Sequence, residues 1–164
     1  MYRRLSLLFL LLGCCLLLPT LASANADRLV VKKSARKLFL FAGDELLRSY
    51  EVALGRNPVG HKERRGDYRT PEGKYLLDWR NPQSRFYRSI HISYPNENDR
   101  RRAAAMGVDP GGSIMIHGVP DRYHDDQEFL ISLNWTEGCI AVTNKDMEEI
   151  WALVADNTPI EILP

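Results

Sequence analysis

Thr136-Glu137-Gly138-Cys139-Ile140-Ala141-Val142-Thr143 is the segment from which the rest of the chain can be read. Ile140 to Val142 is a short apolar run of strand type, and Thr143 with Asp146 three residues on has the form of a helix cap. Behind that cap Met147, Ile150, Trp151 and Val154 fall at i, i+3, i+4 and i+7, one apolar stripe of a helix facing a core. Upstream, Ser113-Ile114-Met115-Ile116 reads as a buried strand that delivers His117 to its end. Two apolar strands thus each place a reactive side chain beside glycine, at His117-Gly118 and at Gly138-Cys139.

Further out, Leu29-Val30-Val31, Leu38-Phe39-Leu40-Phe41 and Tyr50 to Leu54 are expected as antiparallel strands, broken at Lys33 to Arg36 and at Gly43-Asp44. A polar, basic loop over 57–69 leads through Thr70-Pro71-Glu72-Gly73 into a strand at Lys74–Trp79, and Ile90 to Tyr94 alternates as another. Asn96 to Met106 suits a short helix with Asn96 as cap and Gly107 as terminator, and Gln127–Leu133 a further one. Pro159 to Ile162 closes the chain as a strand. The expectation is a mainly β domain with two or three helices, in which Met147 and Trp151 are core residues.

Arg3 and Arg4 precede an apolar run from Leu5 to Leu18 and small residues at Ala22-Ser23-Ala24 and Ala24-Asn25-Ala26, the pattern of a secretory signal peptide over residues 1–26. The run is shorter than the roughly 20 residues of a membrane-spanning helix, so no stable span is expected after cleavage. Leu11-Leu12-Gly13-Cys14 offers the alternative of a lipid anchor on Cys14, and an uncleaved leader that of a membrane anchor.

Removing residues 1–26 takes two Arg and no acids, so 22 basic residues become 20 against 21 acidic and the net charge moves from +1 to −1. That balance gives no support to nucleic-acid binding. Residues 27–164 fit one domain, and of three cysteines only Cys139 lies in it, which excludes an internal disulfide.

A free thiol titrates near 8.5 and is only a few per cent ionised at neutral pH, so a cysteine enzyme needs a base, and His117 is the candidate. Thiolate attack on a carbonyl would be followed by proton donation from imidazolium to the departing amine. Backbone N–H groups around Gly138 and Cys139 are the candidate oxyanion donors, and the Gly118 carbonyl the candidate acceptor for the second imidazole proton. A catalytic thiol of this kind is expected to outpace free cysteine toward iodoacetamide at pH 6, where a buried structural one hardly reacts.

Ile-His-Gly before a loop, followed by Thr-Glu-Gly-Cys-Ile-Ala-Val and a capped helix, resembles the signature of the YkuD-type L,D-transpeptidase family. The likeness extends through Gly66-Asp67-Tyr68-Arg69-Thr70-Pro71-Glu72-Gly73-Lys74-Tyr75 and down to Thr158-Pro159-Ile160-Glu161-Ile162. It implies a β-sandwich of mixed sheets with short helices, Cys139 as nucleophile, His117 as general base and peptidoglycan stem peptides as donor and acceptor. Attack falls on the carbonyl of an L-centre, and a D-amino acid leaves. A second stem as acceptor makes a cross-link, the lysine of a lipoprotein makes a tether, and water makes the enzyme a carboxypeptidase or hydrolase. The commonest motif has Ser, His and Arg where Thr136, Glu137 and Ala141 stand here, which bears on specificity and places a carboxylate beside the thiol.

Arg85 is a candidate for binding a substrate carboxylate, or else a loop anchor, and Tyr94 for lining the cleft. Thr136 and Glu137 join them as candidate substrate-binding residues. His61, His91, His117 and His124 lack the ligand spacing of a zinc site, so no metal is expected, nor any organic cofactor. The loop 61–67 reads as solvated surface, with attraction of acidic stem peptides as the alternative, His91 as a sheet residue and His124 as solvated. A non-catalytic wall-binding module is the alternative of a different class.

Overall fold

The computed structural model describes residues 25–164, so the expected leader, its cleavage sites and Cys14 lie outside the described residues save for Asn25 and Ala26. Eight strands and three α-helices follow one another as β1 (Arg28–Lys32), β2 (Lys37–Ala42), β3 (Glu45–Glu51), β4 (Gly73–Ser84), β5 (Tyr87–Ile92), α1 (Glu97–Ala105), β6 (Met115–His117), α2 (Gln127–Ser132), β7 (Ile140–Ala141), α3 (Asn144–Leu153) and β8 (Thr158–Leu163). A 3-10 turn over Asp121–Asp126 leads into α2.

The strands form one sheet in the order β3-β2-β1-β8-β4-β5-β6-β7. Neighbours are antiparallel except β1 with β8 and β6 with β7, so the sheet is mixed, and the mainly β class with short helices is as expected. The sheet curls until its ends meet. Just after β3, at one end, Ala53 exchanges both backbone hydrogen bonds at 2.9 Å with Ala141 of β7 at the other. Gly55 bridges Thr136 next to it. Closure satisfies polar groups that a free edge would leave to solvent or to another chain.

Inside the curl Leu38, Leu40, Leu77, Ile90, Ile116, Ile140, Met147 and Ile150 are completely buried, each side chain contributing about 1.5–3 kcal/mol. α3 lies on this core by its apolar stripe. Its cap is Thr143, whose hydroxyl accepts from the Asp146 N–H at 3.1 Å. Asn96 and Asp99 form a reciprocal capping box on α1.

Several boundaries differ from the sequence reading, β5 and β6 among them, at Tyr87–Ile92 and Met115–His117. The strand expected from Tyr50 begins at Glu45, because Gly43, at φ +56°, turns the chain tightly and β2 pairs with β3 from Ala42 onward. Residues 52–54 are apolar and buried through the closure instead of a strand ladder. β4 continues past Trp79 to Ser84 because bulged pairing with β5 sustains it through polar residues. Trp151, expected in the core, is only half buried: Arg80 and Arg88 cover its ring at 4.9 and 5.2 Å.

Candidate active site

β6 is three residues long, but it is held on both sides. Ser89 of β5 and Ala141 of β7 pair with His117, and the Val142 N–H donates to its carbonyl at 3.0 Å. The imidazole is 3% exposed and packs on Phe86 and Trp135, with ring centroids 4.6 and 5.7 Å away. Its Nδ1 lies 2.6 Å from the Gly118 carbonyl oxygen. A carbonyl only accepts, so Nδ1 carries the proton and Nε2 keeps its lone pair. Burial pushes the imidazole down to about 4, against the Gly118 carbonyl, and it is neutral at pH 7.

The Cys139 loop is shaped by Thr136. Its buried hydroxyl donates to the Cys139 carbonyl at 2.7 Å and accepts from the Gly138 N–H at 3.1 Å. The Gly138 amide is therefore committed, whereas the Cys139 N–H makes no hydrogen bond among the described residues. The loop rests on the 55–70 segment. Gly55 donates to the buried Thr70 hydroxyl at 3.1 Å, and the Gly138 Cα packs against the Arg69 carbonyl.

Cys139 is half buried, its Sγ 3.7 Å from the Ser113 carbonyl. Burial pushes the thiol up; the Met115 amide and the Lys62 ammonium pull down, Glu137 pushes up, and the net shift is upward. A thiol held neutral in the same cleft as a neutral imidazole revises the expected alkylation behaviour. Cys139 should react with iodoacetamide more slowly than free cysteine at pH 6 to 7, with a rate still climbing above pH 9. A plateau at neutral pH would instead show a preformed thiolate.

Cys139 and His117 line one cleft of about 600 Å³, together with Thr136, Glu137, Arg85, Phe86 and Trp135. Five cations border it, Arg56, Lys62, Arg65, Arg85 and Arg122, against the single carboxylate of Glu137. Arg56 reaches Glu137 at 3.2 Å while stacked on Tyr68, and Arg65 reaches Asp109 at 2.8 Å. Lys62 is buried, its ammonium 2.7 Å from Asp67 and 3.0 Å from the Arg64 carbonyl. Burial alone would raise the Asp67 carboxyl, but Lys62 and the amides of Arg64, Glu63 and Arg69 outweigh it and hold it at about 2. Arg85 and Arg122 form no ion pair among the described residues.

Two sequence readings change. Tyr94 does not line the cleft: it is 2% exposed, and its hydroxyl donates to the Pro110 carbonyl at 3.0 Å, supporting the loop that carries Gly111 and Ser113 to the rim. The 61–67 loop is not merely solvated, because Lys62 turns inward and Arg65 and Gly66 reach the cleft. Gly118 and Gly138 are buried and do not line the cleft, Gly138 lying within the nucleophile loop itself. Phe86, Trp135, Arg56 and Arg122 were not anticipated; the available signal for Trp135 was an aromatic directly before Thr136. A hollow of about 580 Å³ beside α1, lined by Glu72, Asn96 and Arg102, holds neither reactive residue. No group of three metal-ligating side chains occurs among the described residues.

The profile of the YkuD L,D-transpeptidase catalytic domain matches residues 26–162. The chain belongs to the YkuD family. It is 36% identical over 113 residues to the Escherichia coli K12 protein named "Putative L,D-transpeptidase YafK", an alignment covering 67% of this chain and 38% of YafK. The helical cell shape determining protein Pgp2 of Campylobacter jejuni superposes with a TM-score of 0.61 at 25% identity, over 85% of this chain and 48% of that one. L,D-transpeptidase 1 of Mycobacterium tuberculosis shares the fold, with a TM-score of 0.53 at 15% identity, over 85% of this chain and 62% of that one. The chain thus spans less than half the length of YafK and Pgp2. Among its described residues no helix is long and apolar enough to cross a membrane.

Proposed function

We propose that this YkuD-family chain is an exported, periplasmic L,D-transpeptidase that forms a Cys139 acyl-enzyme on peptidoglycan stem peptides, with His117 as general base and then acid. The observation that carries the reading is a neutral His117, with Nε2 unprotonated, sharing one cleft with the Cys139 thiol. Nε2 takes the thiol proton as Sγ attacks the L-centre carbonyl, and the oxyanion forms toward the uncommitted Cys139 N–H. Imidazolium then protonates the amine of the departing D-amino acid. An acceptor amine, losing its proton to the same nitrogen, attacks the thioester, which restores the thiol.

Stem peptides carry carboxylates, and the unpaired Arg85 and Arg122 suit them. Ala141, where the commoner motif has Arg, is completely buried among Ala53, Val119 and Ile131, so cations from other segments take up the charge recognition. Arg56 offsets the Glu137 carboxylate beside the nucleophile. The export signal read over residues 1–26 fits a wall substrate.

Mass spectrometry of residues 27–164 with disaccharide-tetrapeptide muropeptides, with and without an acceptor stem, tests the proposal. Dimers linked between third residues are the expected product. Tripeptide alone would make the enzyme a carboxypeptidase, and release from lipoprotein-linked muropeptides a wall-tether hydrolase. The absence of every product and acyl adduct would leave a wall-binding module.

A further inference from the structure

We infer that Asn144 is a positioning residue for His117, acting through the Gly118–Val119 peptide plane. The inference rests on His117 as the base. A cysteine–histidine pair needs a third group to fix the imidazole, and no carboxylate or amide side chain touches this ring among the described residues. The Gly118 carbonyl takes that place, but a carbonyl can do so only if its peptide plane is itself fixed.

Asn144, the first residue of α3, fixes it. Its Oδ1 accepts from the Val119 N–H at 2.7 Å. The Gly118 carbonyl and the Val119 N–H belong to one trans peptide and point in opposite directions. His117 Nδ1–H therefore grips one edge of the plane while Asn144 Oδ1 grips the other. The bond from the Val119 N–H to Asn144 also polarises the amide and shifts negative charge onto the Gly118 oxygen, making it a better acceptor, since bonds in series polarise one another.

The surroundings hold Asn144 in place. Its backbone N–H donates to Gln127 Oε1 at 2.7 Å, tying α3 to α2, and the preceding Thr143 caps the helix. Gly118 is packed so closely on Asn144 Oδ1 that a Cβ there would collide with it, and the same Cβ would lie only 3.1 Å from Tyr87 Cβ. Position 118 thus has to be glycine for the amide to reach the plane. The Gly118 N–H, donating to the Arg88 carbonyl at 3.3 Å, secures the preceding peptide on β5.

The experiment compares the full chain with Asn144→Ala and Asn144→Asp. Nitrogen-15 NMR of the His117 ring reads the tautomer, and muropeptide turnover with thermal melting is measured in parallel. Asn144→Ala should lower kcat by about 10- to 100-fold, with KM within about two-fold, and the His117 signal should move from the Nδ1–H form toward a mixture. Asn144→Asp, whose carboxylate still accepts from Val119, should restore both. If Asn144→Ala does not fold, Gln127→Ala takes its place and should loosen the tautomer in the same sense. A folded variant of either kind that keeps the wild-type tautomer and kcat overturns the inference, as does Asn144→Asp without recovery. The tautomer is read whether or not wall peptides turn over, so a wild type inactive on every substrate would refute the proposed function and leave this test standing.

Discussion

His117→Ala is expected to lower turnover on the order of 10⁴-fold, and Cys139→Ala to abolish the acyl-enzyme, because each removes one half of a unit that acts together. His117→Gln, which keeps a polar end between Phe86 and Trp135, separates the catalytic loss from the cavity that alanine leaves there. Single-turnover acylation with a muropeptide donor, followed by mass spectrometry beside a thermal melt, measures both. The sign of the pH dependence follows from burial. An imidazole held at about 4 stays neutral, and so able to accept a proton, well below pH 6.5. Wild-type acylation should therefore persist through pH 6.5 and fall only as pH approaches 4. An acid limb centred near 6.5 would show that the working imidazole is solvated, and the buried-base mechanism would fail.

The second large effect belongs to Gly138→Ala. Gly138 adopts φ +128°, which alanine rarely tolerates, and a Cβ built there lies 2.6 Å from the Arg69 carbonyl oxygen and 3.2 Å from Ile114 Cδ1. Strain and overpacking each cost about 1–3 kcal/mol, so a loss of about 3 kcal/mol is expected, a fall of roughly 10 °C in Tm for a domain of this size. The shift would also turn the Cys139 amide away from the reacting carbonyl, so acylation should fall with stability. Gly43→Ala is the control, because Gly43 at φ +56° has open space around it and should cost only about 1 kcal/mol. Equal melting temperatures for Gly138→Ala and Gly43→Ala, with acylation intact, would show that the 138 position is not sterically locked.

Where local chemistry decides, the sequence alone was sufficient. The apolar run ending at His117, the Thr143 cap, the Met147-Ile150 stripe of α3 and the Asn96 cap of α1 appear where they were read. Each is set by neighbours within about a turn of helix or a few strand residues, so pattern and capping suffice. That one histidine and one cysteine would come to a common cleft was likewise legible, since each stands beside glycine at the end of a strand. Tertiary structure decided what depends on distant partners. Lys62, which reads as solvated, is buried because Asp67 and the Arg64 carbonyl turn toward it. Tyr94 supports the rim because Pro110 supplies its acceptor, and Trp151 is half buried, its outer face covered by two arginines instead of by core side chains. The cations of the cleft come from positions 56, 62, 65, 85 and 122, brought together only when the curled sheet joins Ala53 to Ala141. The protonation states of Cys139 and His117 belong to the same class: residue type sets their ordinary values, but burial, a property of the closed fold, moves the thiol up and the imidazole down.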